Sequence, residues 1–225
     1  MNKKIIKILM TDDHPMIIEG YQNTLLSTKK ENQELVIDIA NNCDQSIKSI
    51  KDAIANNNPY DVFFFDISMP PSSDDVYKSG VDLAAYVKRN LPSSIIVLLT
   101  MFNESYRVHN IIKKIKPEGF LIKSDITSSE LSSAFQAVLS NPPFYSGTVN
   151  EILKKTMSNR QDVDDVSHEI LYLLSQGVKN KDMAKRLGIS LSMIEKRKKY
   201  LREIFYIDDG KDDTLVSEAK KEGFL

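Results

Sequence analysis

Four side chains that lie far apart in this sequence are of the types that handle a phosphoryl group: the acid pair Asp12-Asp13, a lone Asp66, and Lys123. Each site follows a short apolar run: Ile5-Ile6-Lys7-Ile8-Leu9-Met10, Val62-Phe63-Phe64-Phe65 and Gly119-Phe120-Leu121-Ile122. Carboxylates are hard oxygen donors. Mg²⁺ is typically held by one or two of them, with water and phosphate oxygens completing its octahedron. Asp12, Asp13 and Asp66 are the expected ligands, and the backbone carbonyl of Ser68 is a further one. A metal there would screen the repulsion between carboxylate and phosphate, so Asp66 can act as a carboxylate nucleophile. Lys123 would add a point charge to the phosphoryl oxygens. Thr100, which closes another apolar run, would bring a hydroxyl to the same group.

These residues can meet only if the runs are neighbouring strands. Strand patterns fall at 4–10, 35–40, 61–66, 95–100 and 119–123, and most are continuously apolar, as strands covered on both faces should be. Helical spacing occupies the intervals at about 15–28, 44–57, 80–90, 104–115 and 127–140. The last opens on Thr127-Ser128-Ser129-Glu130, the spacing of a capping box. Five βα units predict a five-stranded parallel sheet, doubly wound by helices. In such a sheet, residues just past the carboxyl ends of adjacent strands gather in one crevice. The connection 67–79 is long and polar and is expected to be a mobile surface loop.

Asn141-Pro142-Pro143 ends the last of these helices. Residues 144–162 read as a linker with room for a short helix at 149–157. Beyond 163 the strand signals stop and helices are expected at 165–176, 181–187, 191–205 and 214–222, punctuated by Gly177 and Gly188. The expected organisation is an α/β domain over 1–140, a linker over 141–162 and a small all-α domain over 163–225.

Charge is nearly balanced over the 225 residues, at 30 basic against 31 acidic, but it is unevenly placed. Residues 179–202 hold nine Lys or Arg against Asp182 and Glu195, a net charge of +7. Such a patch bears on nucleic-acid binding more than the global balance does. The single cysteine, Cys43, excludes an intrachain disulfide and fits a reducing compartment. No stretch approaches the ~18 apolar residues of a membrane span, and the N-terminus lacks the long apolar region of a signal peptide. A cytoplasmic protein with no membrane partner is expected. His14, His109 and His168 are expected to have no role in the chemistry.

Residues 4–140 resemble a response-regulator receiver domain, the partner of a histidine kinase in two-component signalling. The matching stretches are Thr11-Asp12-Asp13-His14-Pro15, Asp66-Ile67-Ser68-Met69-Pro70, Leu99-Thr100 and Phe120-Leu121-Ile122-Lys123. The resemblance implies a flavodoxin-like fold, Asp66 as phospho-acceptor, and Asp12 and Asp13 as Mg²⁺ ligands. It further implies Thr100 as the switch hydroxyl, Lys123 as the phosphate-binding lysine, and a sensor histidine kinase as partner. Phe120 falls at the family's aromatic switch position, although plain core packing accounts for it equally. Three departures stand out. Gly80 lies about six residues later than the family's glycine, Met101 replaces a small residue after Thr100, and Ser124 stands where proline is frequent.

Residues 163–205 resemble the LuxR-type helix-turn-helix of NarL/FixJ regulators. The match rests on Glu169-Ile170-Leu171, Leu173-Leu174, Gly177, Asn180-Lys181-Asp182-Met183-Ala184, Leu187-Gly188-Ile189-Ser190 and Ile194. Ser190 can cap the next helix, whose Ile194, Leu201, Ile204 and Phe205 would face a small core. Its other face carries Ser192, Glu195, Lys196, Lys199 and Arg202. The resemblance implies double-stranded promoter DNA as ligand, with Glu195, Lys196 and Lys199 toward base edges. Lys181, Lys185 and Arg186 would touch phosphates. Met193-Ile194-Glu195 departs from the family's Thr-Val-Lys, and Ser167 from a usual Glu. Thr214-Leu215-Val216-Ser217-Glu218-Ala219 matches the family's last helix, which often serves dimerisation, so a homodimer is expected in the active form. The implied function is regulation of transcription by phosphorylation of Asp66 rather than enzymatic turnover. Two alternatives remain: a phospho-gated adaptor that binds protein instead of DNA, and a DNA-binding regulator that works without phosphorylation. A haloacid-dehalogenase-type phosphohydrolase is disfavoured, because it needs a second Asp where Ser68 stands.

Overall fold

The computed structural model describes residues 3–103, 105–158, 163–205 and 207–225. Residue 104 of an expected helix and residues 159–162 of the expected linker lie outside the described residues. The chain divides into two compact units, Met1–Asn103 with Ile111–Asn150 and Glu104–Asn110 with Glu151–Leu225.

Over residues 4–158, strands and helices alternate in chain order: β1 (Lys4–Thr11), α1 (Pro15–Thr28), β2 (Gln33–Ala40), α2 (Cys43–Ala55), β3 (Val62–Asp66), α3 (Gly80–Asn90), β4 (Ile95–Thr100), α4 (Ser105–Ile115), β5 (Gly119–Ile122), α5 (Ser128–Ser140), β6 (Phe144–Tyr145) and α6 (Gly147–Ser158), with the first part of α4 and the later part of α6 counted in the second unit. All strand pairs are parallel, in the order β2-β1-β3-β4-β5-β6. Both sheet faces are covered, which is why the apolar runs do not alternate. Ile6, Ile8, Met10, Phe64, Val97, Leu99 and Leu121 share one core with Ile18 and Leu25 of α1 and Leu131, Phe135 and Val138 of α5. The intervening Leu9, Phe63, Phe65, Leu98 and Phe120 are fully buried as well. Phe63 and Phe65 stack along one strand face at 5.5 Å between ring centroids. Each such side chain contributes about 2 kcal/mol by burial.

The sheet has six strands rather than the expected five. The sixth lies inside the expected linker and has only two residues, too few to show a strand pattern. After Pro142-Pro143 stop the helix, the Phe144 N–H donates to the Glu118 carbonyl at 2.8 Å and the chain continues along β5. The loop 67–79 also differs from expectation, because it is cross-linked. The Ser73 N–H and hydroxyl donate to Asp44 of α2 at 3.0–3.1 Å, and the Ser72 hydroxyl donates to Asp74 at 2.6 Å. Tyr77 packs edge-on against Tyr86 of α3 at 5.8 Å. Ile67, Met69 and Ser72 are buried. Local hydrogen bonding by Ser and Asp side chains supplies this order, and a hydrophobic pattern does not reveal it.

The second unit contains α7 (Asp165–Ser175), α8 (Asn180–Leu187), α9 (Leu191–Ile204) and α10 (Asp212–Lys221). Gly177 and Gly188, at φ +70° and +65°, take left-handed conformations past the ends of α7 and α8, where side chains are disfavoured. Ser190 caps α9 by accepting from the Met193 N–H at 3.2 Å. Ile170, Leu173, Met183 and Ile194 form one small core, and Leu171, Leu201, Phe205, Leu215, Ala219 and Phe224 another.

Candidate functional site: an acid cluster and a basic helix

Strand order alone assembles the acid cluster. β1 and β3 are adjacent, with Thr11 opposite Phe65, so the residues that follow them, Asp12 and Asp66, emerge side by side. β5 is two strands from β3, with Thr100 opposite Ile122. Lys123 opens a single 3-10 turn, Lys123–Asp125, immediately after it. The Lys123 ammonium donates to Asp12 Oδ2 at 2.6 Å and lies 3.1 Å from Asp66 Oδ2. Both carboxylates are 2% exposed and the lysine side chain 4%, so the cluster is nearly dry.

Burial raises the Asp66 carboxyl above its ordinary value, and Asp12 adds to the rise. Lys123 and the Ser68 N–H, which donates to Asp66 Oδ1 at 3.3 Å, act against it. Burial likewise pushes up the Tyr21 hydroxyl, with contributions from Asp12 and Asp66. Thr100 is fully buried, and its hydroxyl oxygen accepts from the Phe102 N–H at 3.2 Å. Ser68 itself is exposed. Phe120 is fully buried opposite Leu98.

Ligand atoms from Asp12, Asp13, His14 and Asp66 lie within 4.8 Å of one another. The buried Asp13 Oδ1 accepts no hydrogen bond, although His14 Nδ1 stands 2.8 Å away. Three carboxylates gathered this closely suit a divalent cation with oxygen ligands. His14, adjacent to the acids in sequence and expected to have no role in the chemistry, lies with its ring against both, at 2.8 Å from Asp13 and 3.2 Å from Asp12. The backbone brings it there, because His14 precedes α1 and its N–H donates to Asp12 Oδ1 at 3.0 Å.

The displaced glycine has a physical explanation. A Cβ on Gly80 would fall 2.0 Å from the Asp66 carbonyl oxygen, so α3 can start against β3 only with glycine there. Met101 is 66% exposed, and with Tyr21, Lys123 and Leu131 it lines a cavity of about 360 Å³.

On α8 and α9 the structure sorts the basic patch. Lys181, Lys185, Arg186, Ser192, Glu195, Lys196 and Lys199 are exposed, as is Lys179. Arg202 is drawn inward and donates to Asp212 of α10 at 2.6 Å, with its side chain 16% exposed. Lys198 is buried, reaching Asp212 at 2.7 Å and the Asn180 side-chain oxygen at 3.1 Å. Arg197 donates to Asp164 at 2.5 Å and to Ser167 Oγ at 2.9 Å. The hydrogen bond from Arg197, against the opposing effect of burial and with help from the Ser167 N–H and hydroxyl, holds the Asp164 carboxyl down at about 2. Glu195 accepts from the Asn180 side-chain N–H. The inward partners Asp164 and Asp212 lie outside residues 179–202, so a local charge count could not find them.

No family model matches the chain. Among curated proteins it is similar to oxygen regulatory protein NreC of Staphylococcus epidermidis, at 24% identity over 209 residues, covering 87% of this chain and 89% of that one. It is also similar to transcriptional regulatory protein RcsB of Salmonella typhi, at 27% identity over 200 residues, covering 86% and 85%. Among solved structures, Salmonella typhimurium RcsB superposes with a TM-score of 0.56 at 25% identity, covering 98% of this chain and all of that one. A structure of RcsB dimers bound to DNA gives a TM-score of 0.62 at 23% identity, covering 96% and 98%. The isolated receiver domain of RcsB gives 0.53 at 24% identity, covering 66% of this chain and 99% of its own length. Sequence likeness along nearly the whole chain, on a parallel α/β sheet followed by a small helical unit, makes the chain similar to NreC and to the response regulator RcsB.

Proposed function

We propose that this protein is a phosphorylation-controlled regulator of transcription in which Asp66 is the phospho-acceptor. The observation that carries the reading is the contact of Lys123 with both Asp12 and Asp66 in a buried cluster at the ends of β1, β3 and β5. An Asp66 oxygen would attack phosphorus, and the bond to the donor's leaving group, a kinase phosphohistidine nitrogen or an acyl-phosphate oxygen, would break. Lys123 stands where it can neutralise a phosphoryl oxygen, and the Thr100 hydroxyl lies at the end of the neighbouring strand. A Mg²⁺ ion held by Asp12, Asp13, Asp66 and the Ser68 carbonyl would supply charge neutralisation for the incoming phosphoryl group. Phe120 is assigned the switch that reports phosphorylation.

Residues 1–140 act as the receiver, 141–162 as the connection and 163–225 as the DNA-binding domain. Lys196 and Lys199 would read base edges while Lys181, Lys185 and Arg186 hold phosphates. Arg202, paired with Asp212, serves the fold of its own domain. The resemblance to RcsB, of which dimers on DNA are known, supports a homodimer on double-stranded promoter DNA as the active form. A sensor histidine kinase and a cytoplasmic setting belong to the same reading. No helix among the described residues is long and apolar enough to cross a membrane.

The test is incubation with Mg²⁺ and acetyl phosphate, resolved on a phosphate-retarding gel beside Asp66→Asn. A retarded band in the wild type alone is the expected result. Retardation of both proteins would move the acceptor elsewhere. A phospho-gated adaptor without DNA binding would show the same band but no affinity for any duplex at low salt.

A further inference from the structure

The turn that carries Lys123 is tied at its other end to the start of α6. Asp125, the third residue of the turn, accepts from the Ser146 hydroxyl at 2.6 Å and the Thr148 N–H at 3.1 Å through Oδ2. Through Oδ1 it accepts from the Thr148 hydroxyl at 2.9 Å. Ser146 closes the loop: its hydroxyl oxygen accepts from the Ile122 N–H at 3.2 Å, and its own N–H donates to the Phe120 carbonyl at 3.0 Å. Ser146 is fully buried.

The first N–H groups of a helix have no partner within it and are normally capped by a nearby side chain in sequence. Here the cap of α6 comes from 23 residues away, across β6. A carboxylate at that place also complements the helix dipole. Partial burial works against the charge on Asp125, but the hydrogen bonds from Ser146 and Thr148 outweigh it and hold the carboxyl below its ordinary value. One three-residue turn therefore grips the acid cluster at one end through Lys123 and the first turn of α6 at the other through Asp125. In the sequence, α6 runs on toward the helix-turn-helix domain.

We infer that Asp125 is a positioning residue that couples the state of Asp66 to the first turn of α6. The coupling rests on the phosphoryl-site reading above. When Asp66 changes its charge and partners, Lys123 re-pairs. Its short 3-10 turn has little slack, and the hydrogen bonds to Ser146 and Thr148 change with it.

The test uses the full chain with Mg²⁺ and beryllofluoride as the phosphoryl mimic. Fluorine NMR reports occupancy of Asp66, and amide hydrogen exchange reports the segment 146–150. In the wild type, exchange in that segment is expected to change at least threefold on beryllofluoride binding. In Asp125→Ala, and in the milder Thr148→Val, the bound fluorine signal should persist while the exchange response shrinks or vanishes. A wild-type response retained in full by both variants overturns the coupling and leaves the acceptor assignment standing. So does a bound fluorine signal with no exchange response in the wild type. Absence of any bound signal in the wild type overturns the acceptor reading and the coupling together.

Discussion

At the scale of single residues, the acid cluster carries a cost in stability. Asp66 is buried deeply enough that its carboxyl is raised despite the neighbouring lysine, so its charge opposes folding in the absence of metal. Asp66→Asn should then melt higher than the wild type in chelator, by up to about 2 kcal/mol. The sign follows from the raised value. The penalty is absent below the unfolded carboxylate pKa of about 4, grows as pH rises toward the folded value, and persists above it. The difference in melting temperature between the two proteins should therefore shrink at acid pH. Added Mg²⁺, if held by the acids as proposed, should stabilise the wild type more than the variant, because ligands of the folded state alone stabilise it. Gly80 gives a second prediction. Its missing Cβ leaves the only room for the Asp66 carbonyl, so Gly80→Ala must push backbone against backbone. We expect it to lose about 1–3 kcal/mol in urea unfolding and to slow phosphorylation by acetyl phosphate. An equally stable, equally reactive Gly80→Ala would show that α3 can shift freely.

At the scale of elements, helix starts and turns carry much of the specification. Asp164 caps α7 by accepting from the Ser167 N–H at 2.8 Å while it pairs with Arg197 of α9, so a single carboxylate joins two helices. Its pKa of about 2 lies below the ordinary value. The stability it contributes is present above about pH 4 and is lost as pH falls toward 2. The side chain is 56% exposed, so solvent screening limits the effect to about 1 kcal/mol or less. Asp164→Asn, which keeps an acceptor for the cap but not the charge, should flatten the acid limb of the unfolding curve monitored by helical circular dichroism. The Ser167 departure belongs to the same contact. The Ser167 hydroxyl accepts from Arg197 at 2.9 Å beside Asp164.

At the scale of the whole molecule, charge is partitioned. Of the nine cations in residues 179–202, three (Arg197, Lys198 and Arg202) are paired with Asp164 or Asp212, and six are exposed. If the domain binds DNA as proposed, only the exposed ones would displace counterions from it. The dependence of log affinity on log salt should be shallower than nine contacts per protomer would give. Lys181→Ala should lower that slope by about 1 for each protomer engaged, uniformly across sequences, while Lys199→Ala should also relax discrimination between sites. Arg202→Ala should act mainly on thermal stability, because its partner is Asp212. An Arg202→Ala protein with native stability and a reduced salt slope would return that residue to the DNA face.

The local patterns by themselves determined the elements and the chemical cast. Uninterrupted apolar runs marked strands covered on both sides, and Thr127, Ser190, Gly177 and Gly188 marked helix ends where the structure has them. The acids and the lysine were legible because each ends such a run. Tertiary structure decided what depends on contacts between distant segments. It alone showed that Gly80 must be glycine because of Asp66, and that His14 lies on the acid pair. It showed that the 67–79 loop is tied down by Asp44, and that Phe144-Tyr145 adds a strand. It also drew Arg202 and Lys198 inward and set Asp125 as a remote cap. The physical reason is the same in each case. Periodicity and capping arise from neighbours in the chain, whereas a hydrogen bond, ion pair or missing Cβ between distant residues leaves no pattern until the backbone brings them together.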